Sequence, residues 1–124
     1  MVTWAEAETQ SKQHFETVLA AVGKRYGFTK EELRGSWRSD RRATRFYARE
    51  ITVYLTWRLV PMWNICHLAR VFAADYVEIL HIIRTLEQRQ QTNEAFASEL
   101  AELDLDHFDE MIAPRILAAP FLQA

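Results

Sequence analysis

Apolar residues recur along this chain at steps of three and four, the spacing of one face of an α-helix. Behind the capping-box spacing of Thr3-Trp4-Ala5-Glu6, the positions Ala7, Phe15, Val18, Leu19 and Val22 predict one amphipathic helix ending at Gly27. Thr29 and Glu32 repeat the capping-box spacing and start a short helix through Leu33 and Arg34, which Gly35-Ser36 breaks. The run SWRSDRRATR reads as a loop leading into the next helix. From Ala43 to Val60 a strong stripe of Phe46, Tyr47, Ile51, Tyr54, Leu55 and Leu59 predicts a third helix, and Pro61 stops it. Asn64 is a good N-cap for a short helix over 65–72, and Asp75 for a longer one over 75–90 with Ile79, Leu80, Ile83 and Leu86 buried. After a break near Gln91-Thr92-Asn93, a helix runs from Glu94 to about Leu103. The segment LDLDHFDEMIAPRILAAPFLQA is compatible with one more helix before Pro114. No stretch shows the alternation of a strand, so the expected fold is all-α.

Composition agrees with that expectation. The chain has 124 residues, one domain's worth, and its three Gly and three Pro are few turn-makers for a β-rich fold. The single Cys66 excludes an internal disulfide framework. His14, His67, His81 and His107 are scattered, without metal-ligand spacing, and no apolar run approaches the ~20 residues of a membrane span. The N-terminal residues lack the apolar centre of a signal peptide, so a cytoplasmic location is expected. No nucleophile–base pair and no phosphate-cradling Gly loop is visible. An enzyme is therefore not expected, and neither catalytic residues, a metal nor a cofactor is assigned.

Charge changes the picture more. The net charge of -2 hides an asymmetry: residues 24–58 hold ten Lys and Arg against four acids, whereas residues 59–124 hold four Arg against ten acids. A basic segment beside an acidic one suggests an anionic partner for the first and a separate role for the second. The two helices over 65–72 and 75–90, the second longer and joined by about two residues, have the arithmetic of a helix-turn-helix.

Several pieces of the chain arrive in the order of a known domain. They are VLAAVGKRYGFTKEELRG, then RRATRFYAREITVYL, then NICHLARVF with Ile65, Leu68, Arg70 and Phe72, and finally DYVEILHIIRTLE with Asp75, Ile79, Leu80, His81 and Leu86. Over residues 18–103 the chain resembles the C-terminal DNA-binding domain (domain IV) of the bacterial replication initiator DnaA. The resemblance implies a compact helical domain with a central helix-turn-helix, of the DnaA domain IV (TrpR-like) kind. It also implies a basic loop that reaches the minor groove. The departures lie where DNA would be read. The base-reading Arg before Asp75 is missing, Ala73-Ala74 stand for the family's Gly-Gly turn, and Tyr76, Val77 and Glu78 replace its His and two Thr. Recognition of the replication-origin box is accordingly not expected, and nothing in these residues resembles the initiator's ATPase domain.

The candidate DNA-binding residues are Arg38, Arg41, Arg42, Arg45, Arg49, Arg70, Asp75, Tyr76, Val77 and Glu78. Clustered guanidiniums ahead of a helix can follow phosphates and enter a narrow minor groove; a solvated charged face is the competing account. Tyr can stack or reach phosphate, Val can touch a thymine methyl and Glu can accept from cytosine N4. Alternatively the helix no longer enters a groove, and Glu78 complements its N-terminus. Asp75 reads first as a cap, and Arg70 and Arg84 as phosphate contacts or ordinary surface residues. For Cys66, His67 and His81, packing is the better account. Trp37 and Trp63 read as core plugs or interface anchors.

The expected organisation is a helix-turn-helix domain over 1–103 followed by an acidic, apolar extension over 104–124. That extension reads as a docking segment for a protein partner, as a helix packed on the domain, or as part of a homodimer. The first expectation for function is a double-stranded DNA-binding transcription regulator, nucleoid-associated, with altered specificity. Stand-alone relatives in the resembled family include activators of phage-like gene transfer agent clusters, which implies a second activator subunit or RNA polymerase as partner. The alternative is a protein-interaction module that has lost DNA binding.

Overall fold

The computed structural model describes residues 3–34, 43–60 and 62–103, and these are all-helical with no strand. Six helices follow in order: α1 Trp4–Tyr26, α2 Lys30–Arg34, α3 Ala43–Leu59, α4 Ile65–Val71, α5 Tyr76–Thr92 and α6 Glu94–Glu102. None of them is long and apolar enough to cross a membrane. The stretches of the basic loop at 35–42, Pro61 and the extension at 104–124 lie outside the described residues.

Local chemistry sets most of the ends. Thr3 and Glu6 exchange both bonds of a capping box, and Thr29 and Glu32 do the same at α2. The side-chain oxygen of Asn64 accepts from the His67 N–H at 2.8 Å, and that of Asn93 from the Phe96 N–H at 3.1 Å. α1 closes on Gly27 at φ 80°, with the Gly27 and Phe28 N–H groups both donating to the Gly23 carbonyl.

α3 is the central element, packed against α1, α2, α4 and α5. Val18, Leu19 and Val22 of α1, Ile51 and Val53 of α3, and Ile79, Ile83 and Leu86 of α5 are fully buried together. Three expected core positions differ. Phe46 is 40% exposed, Leu80 is only partly buried, and Ile82 takes the buried place beside Ile83. Trp63 is buried as a plug: its ring lies 5.1 Å from Phe15, and Phe15 meets Phe72 edge-on at 5.7 Å. This aromatic cluster joins α1 to the residues before and after α4, so the α4–α5 pair is held against the body of the domain.

A second tie is polar. The Glu99 carboxylate of α6 accepts from the hydroxyls of Tyr26 on α1 and, at 2.9 Å, of Tyr47 on α3. Burial and the neighbouring Glu99 push both phenols up, Tyr47 to about 12.

Candidate nucleic-acid interface

The corner expected over 65–90 is present as a seven-residue helix, a turn and a 17-residue helix, and α4 packs on α5. The turn ends α4 through a left-handed residue. Ala73 has φ 51°, its N–H donates to the Arg70 carbonyl at 3.3 Å, and the Ala74 N–H donates to the Ala69 carbonyl at 2.9 Å. These are the two bonds of a Schellman ending, which usually places glycine at the left-handed position. Here alanine holds it, at the place where the resembled family has glycines.

α5 divides cleanly into two faces. Ile79, Ile82, Ile83 and Leu86 are buried, while Val77, His81, Arg84 and Gln88 share an exposed stripe. Its first turn is open to solvent: Asp75, Tyr76, Val77 and Glu78 are all exposed, Val77 at 73%. Asp75 occupies the N-cap position, yet its side chain makes no cap hydrogen bond, contrary to the cap reading. Its carboxylate and that of Glu78 still lie at the positive end of the helix dipole, which favours them there. Arg70 is exposed on the last turn of α4, beside this end of α5.

The basic constellation divides. Arg38, Arg41 and Arg42 lie outside the described residues. Arg45 is half-buried, with a guanidinium nitrogen 3.8 Å from a Glu32 carboxylate oxygen. Arg49 is placed differently from its expected role. It is 2% exposed, and its Nε–H donates to the Glu32 carbonyl at 2.9 Å. A helix as short as α2 leaves its carbonyls short of intrahelical donors, and Arg49 supplies one from α3. In this position Arg49 joins two helices and does not present its charge to a ligand.

The packing expectation fails for two further residues. Cys66 and His81 are exposed. His67 does pack, with its ring 4.5 Å from Trp63; burial first and Arg70 second hold its pKa below the usual histidine value. At neutral pH it is an uncharged stacking partner, not a phosphate-pairing cation.

Sequence reasoning missed Phe46 and Glu50. Together with Asp75, Glu78, His81 and Ile82 they line a cleft between the start of α3 and the start of α5. Glu50 is half-buried there, and burial raises its carboxyl pKa against the lowering effect of Arg89 and His81. Phe46 and Glu50 were legible only as members of an amphipathic stripe; no local pattern marks them as neighbours of a turn almost thirty residues on. No group of three or more His, Cys, Asp or Glu side chains among the described residues could hold a metal ion. Set against protein families, curated proteins and solved structures, the chain matches none.

Proposed function

We propose that this chain is a sequence-specific, double-stranded DNA-binding transcription regulator that reads DNA through the first turn and outer stripe of α5. The observation carrying this reading is the division of α5. One face is locked into the core by Ile79, Ile83 and Leu86, while Tyr76, Val77 and Glu78 stand free at its tip. A rigidly held helix with an open N-terminal turn, preceded by a short helix and a tight turn, has the form that enters a major groove. Arg70 and Arg84 flank it as phosphate contacts, and the Arg38, Arg41 and Arg42 side chains of the preceding basic segment extend the electrostatic footprint. Arg49 is not part of this interface. On this reading the domain is of the DnaA domain IV kind with rewritten specificity, and its regulatory role is that of an activator of a phage-like gene cluster.

The test is binding to mixed-sequence duplex as a function of salt. Three to five phosphate contacts would lower affinity by roughly 40- to 500-fold between about 50 and 200 mM salt, from a slope of about −0.9 per contact. Absence of binding at the lower salt overturns the proposal.

A second reading, a protein-interaction module, is favoured by one observation. Glu50, Asp75 and Glu78 gather at the same end as exposed Phe46, Tyr76 and Val77. Such a rim repels phosphate and offers apolar area to a protein. The same titration separates the two.

A further inference from the structure

A groove of ≈ 520 Å³ lies on the opposite side of α6 from the cleft's elements, between the end of α1 and the end of α6. Its α1 wall is formed by Thr17, Ala20, Ala21 and Lys24, positions that share one helix face, and Leu103 closes its other side. The small side chains leave a shallow apolar floor, with Ala20 fully exposed to solvent contact. The rim is cationic. Arg25 is already joined to Glu102 at 2.6 Å, whereas Lys24 is exposed and has no ion pair among the described residues. An acidic, apolar sequence begins at the residue after Leu103: Asp104, Leu105, Asp106, Phe108, Asp109, Glu110, Met111 and Ile112.

We infer that residues 105–112 of this same chain occupy the groove, with Phe108 and Met111 over Ala20 and Ala21 and the carboxylates of Asp109 and Glu110 toward Lys24. Three features select this occupant. The chain is delivered to the groove by Leu103, which lines it, so no loop has to be closed. The floor from Lys24 to Thr17 is only about 10 Å long at 1.5 Å per helical residue, within reach of the first few residues after Leu103. The charges also match: a cationic rim receives the most acidic stretch of the sequence. Six-residue stretches of mixed acids and large apolar side chains expose less apolar area when laid on such a floor than when free in water. The contact lies away from the first turn of α5, which stands at the other end of that 17-residue helix from the α5–α6 junction. The inference is independent of DNA binding, and it assigns to the chain itself a segment otherwise available to a partner.

The test uses the full chain with Cys66→Ser, carrying Ala20→Cys and Met111→Cys, oxidised at low concentration. A disulfide within one chain is expected, forming at least tenfold faster than in a control pairing Met111→Cys with Val77→Cys at the far end of α5. Lys24→Glu added to the first pair should slow it severalfold, and a matching far-ultraviolet spectrum shows that each variant is folded. Equal rates in the two pairs would overturn the inference, because the segment would then sample both ends of the domain alike. Disulfide-linked dimers would also overturn it, in favour of exchange with a second copy. An unchanged rate with Lys24→Glu would remove the charge pairing on which the choice of occupant rests.

Discussion

Glu50 carries the least favourable charge near the proposed interface. It is half-buried on α3, and burial raises its pKa more than Arg89 and His81 lower it. For an acid whose folded pKa is raised, the protonated form is the one that folding favours. The associated stability is present below the unfolded carboxyl pKa and is lost as pH rises through the folded value. At neutral pH the ionised group therefore costs stability. Glu50→Gln should stabilise the domain at about pH 7 by less than about 1 kcal/mol, since water still screens the exposed part of the group. The gain should vanish near pH 4, where the wild-type carboxyl is protonated. Urea denaturation of both proteins at the two pH values checks this; a destabilised Gln variant at neutral pH would mean that Glu50 has a compensating partner. The neighbouring arginine teaches a related lesson. Arg49 sits in a sequence run of cations and was read with them, but its 2% exposure follows from an α2 carbonyl seventeen residues earlier. Charge runs in sequence do not distinguish a cation that faces water from one that completes a neighbouring helix.

At the scale of elements, helix boundaries were legible because their causes are local. The capping boxes at Thr3 and Thr29 and the side-chain caps at Asn64 and Asn93 each act over three residues, a distance that sequence displays directly. The α4–α5 turn was legible as a turn but not in its conformation. Ala73 adopts φ 51°, where a Cβ is disfavoured by roughly 1–2 kcal/mol. Glycine would remove that cost and lose part of the gain through the greater entropy of the unfolded chain. Ala73→Gly is therefore expected to raise stability by roughly 0.5–1 kcal/mol, and Ala73→Val to lower it by more than about 1 kcal/mol. Chemical denaturation of the two variants measures both, and equal effects of Gly and Val would contradict the left-handed turn. Another glycine is needed for a different reason: a Cβ on Gly23 would stand 2.5 Å from the Phe28 carbonyl oxygen, so the end of α1 requires its absence.

At the scale of the molecule, the all-helical architecture followed from periodicity and from few turn-makers, and the core from the apolar stripes. Long-range pairings did not. The Tyr26 and Tyr47 hydroxyls meet Glu99 across 73 and 52 residues, and nothing at either tyrosine signals that partner. The outward turn of Phe46, and its meeting with Asp75 and Glu78, likewise depend on how α3 lies against α5. The candidate interface was thus half legible. Its exposed turn was read from the α5 pattern, whereas its electrostatic surroundings required the packing.

The central claim is that the tip of α5 chooses a DNA sequence. Selection of bound duplexes from a random pool, run in parallel with wild type, Tyr76→Ala and Glu78→Ala, tests it most directly. The account predicts an enriched site for the wild type and a changed preference at specific positions for at least one variant, as expected of side chains that touch base edges. An unenriched pool, or one site shared unchanged by all three proteins, would contradict it.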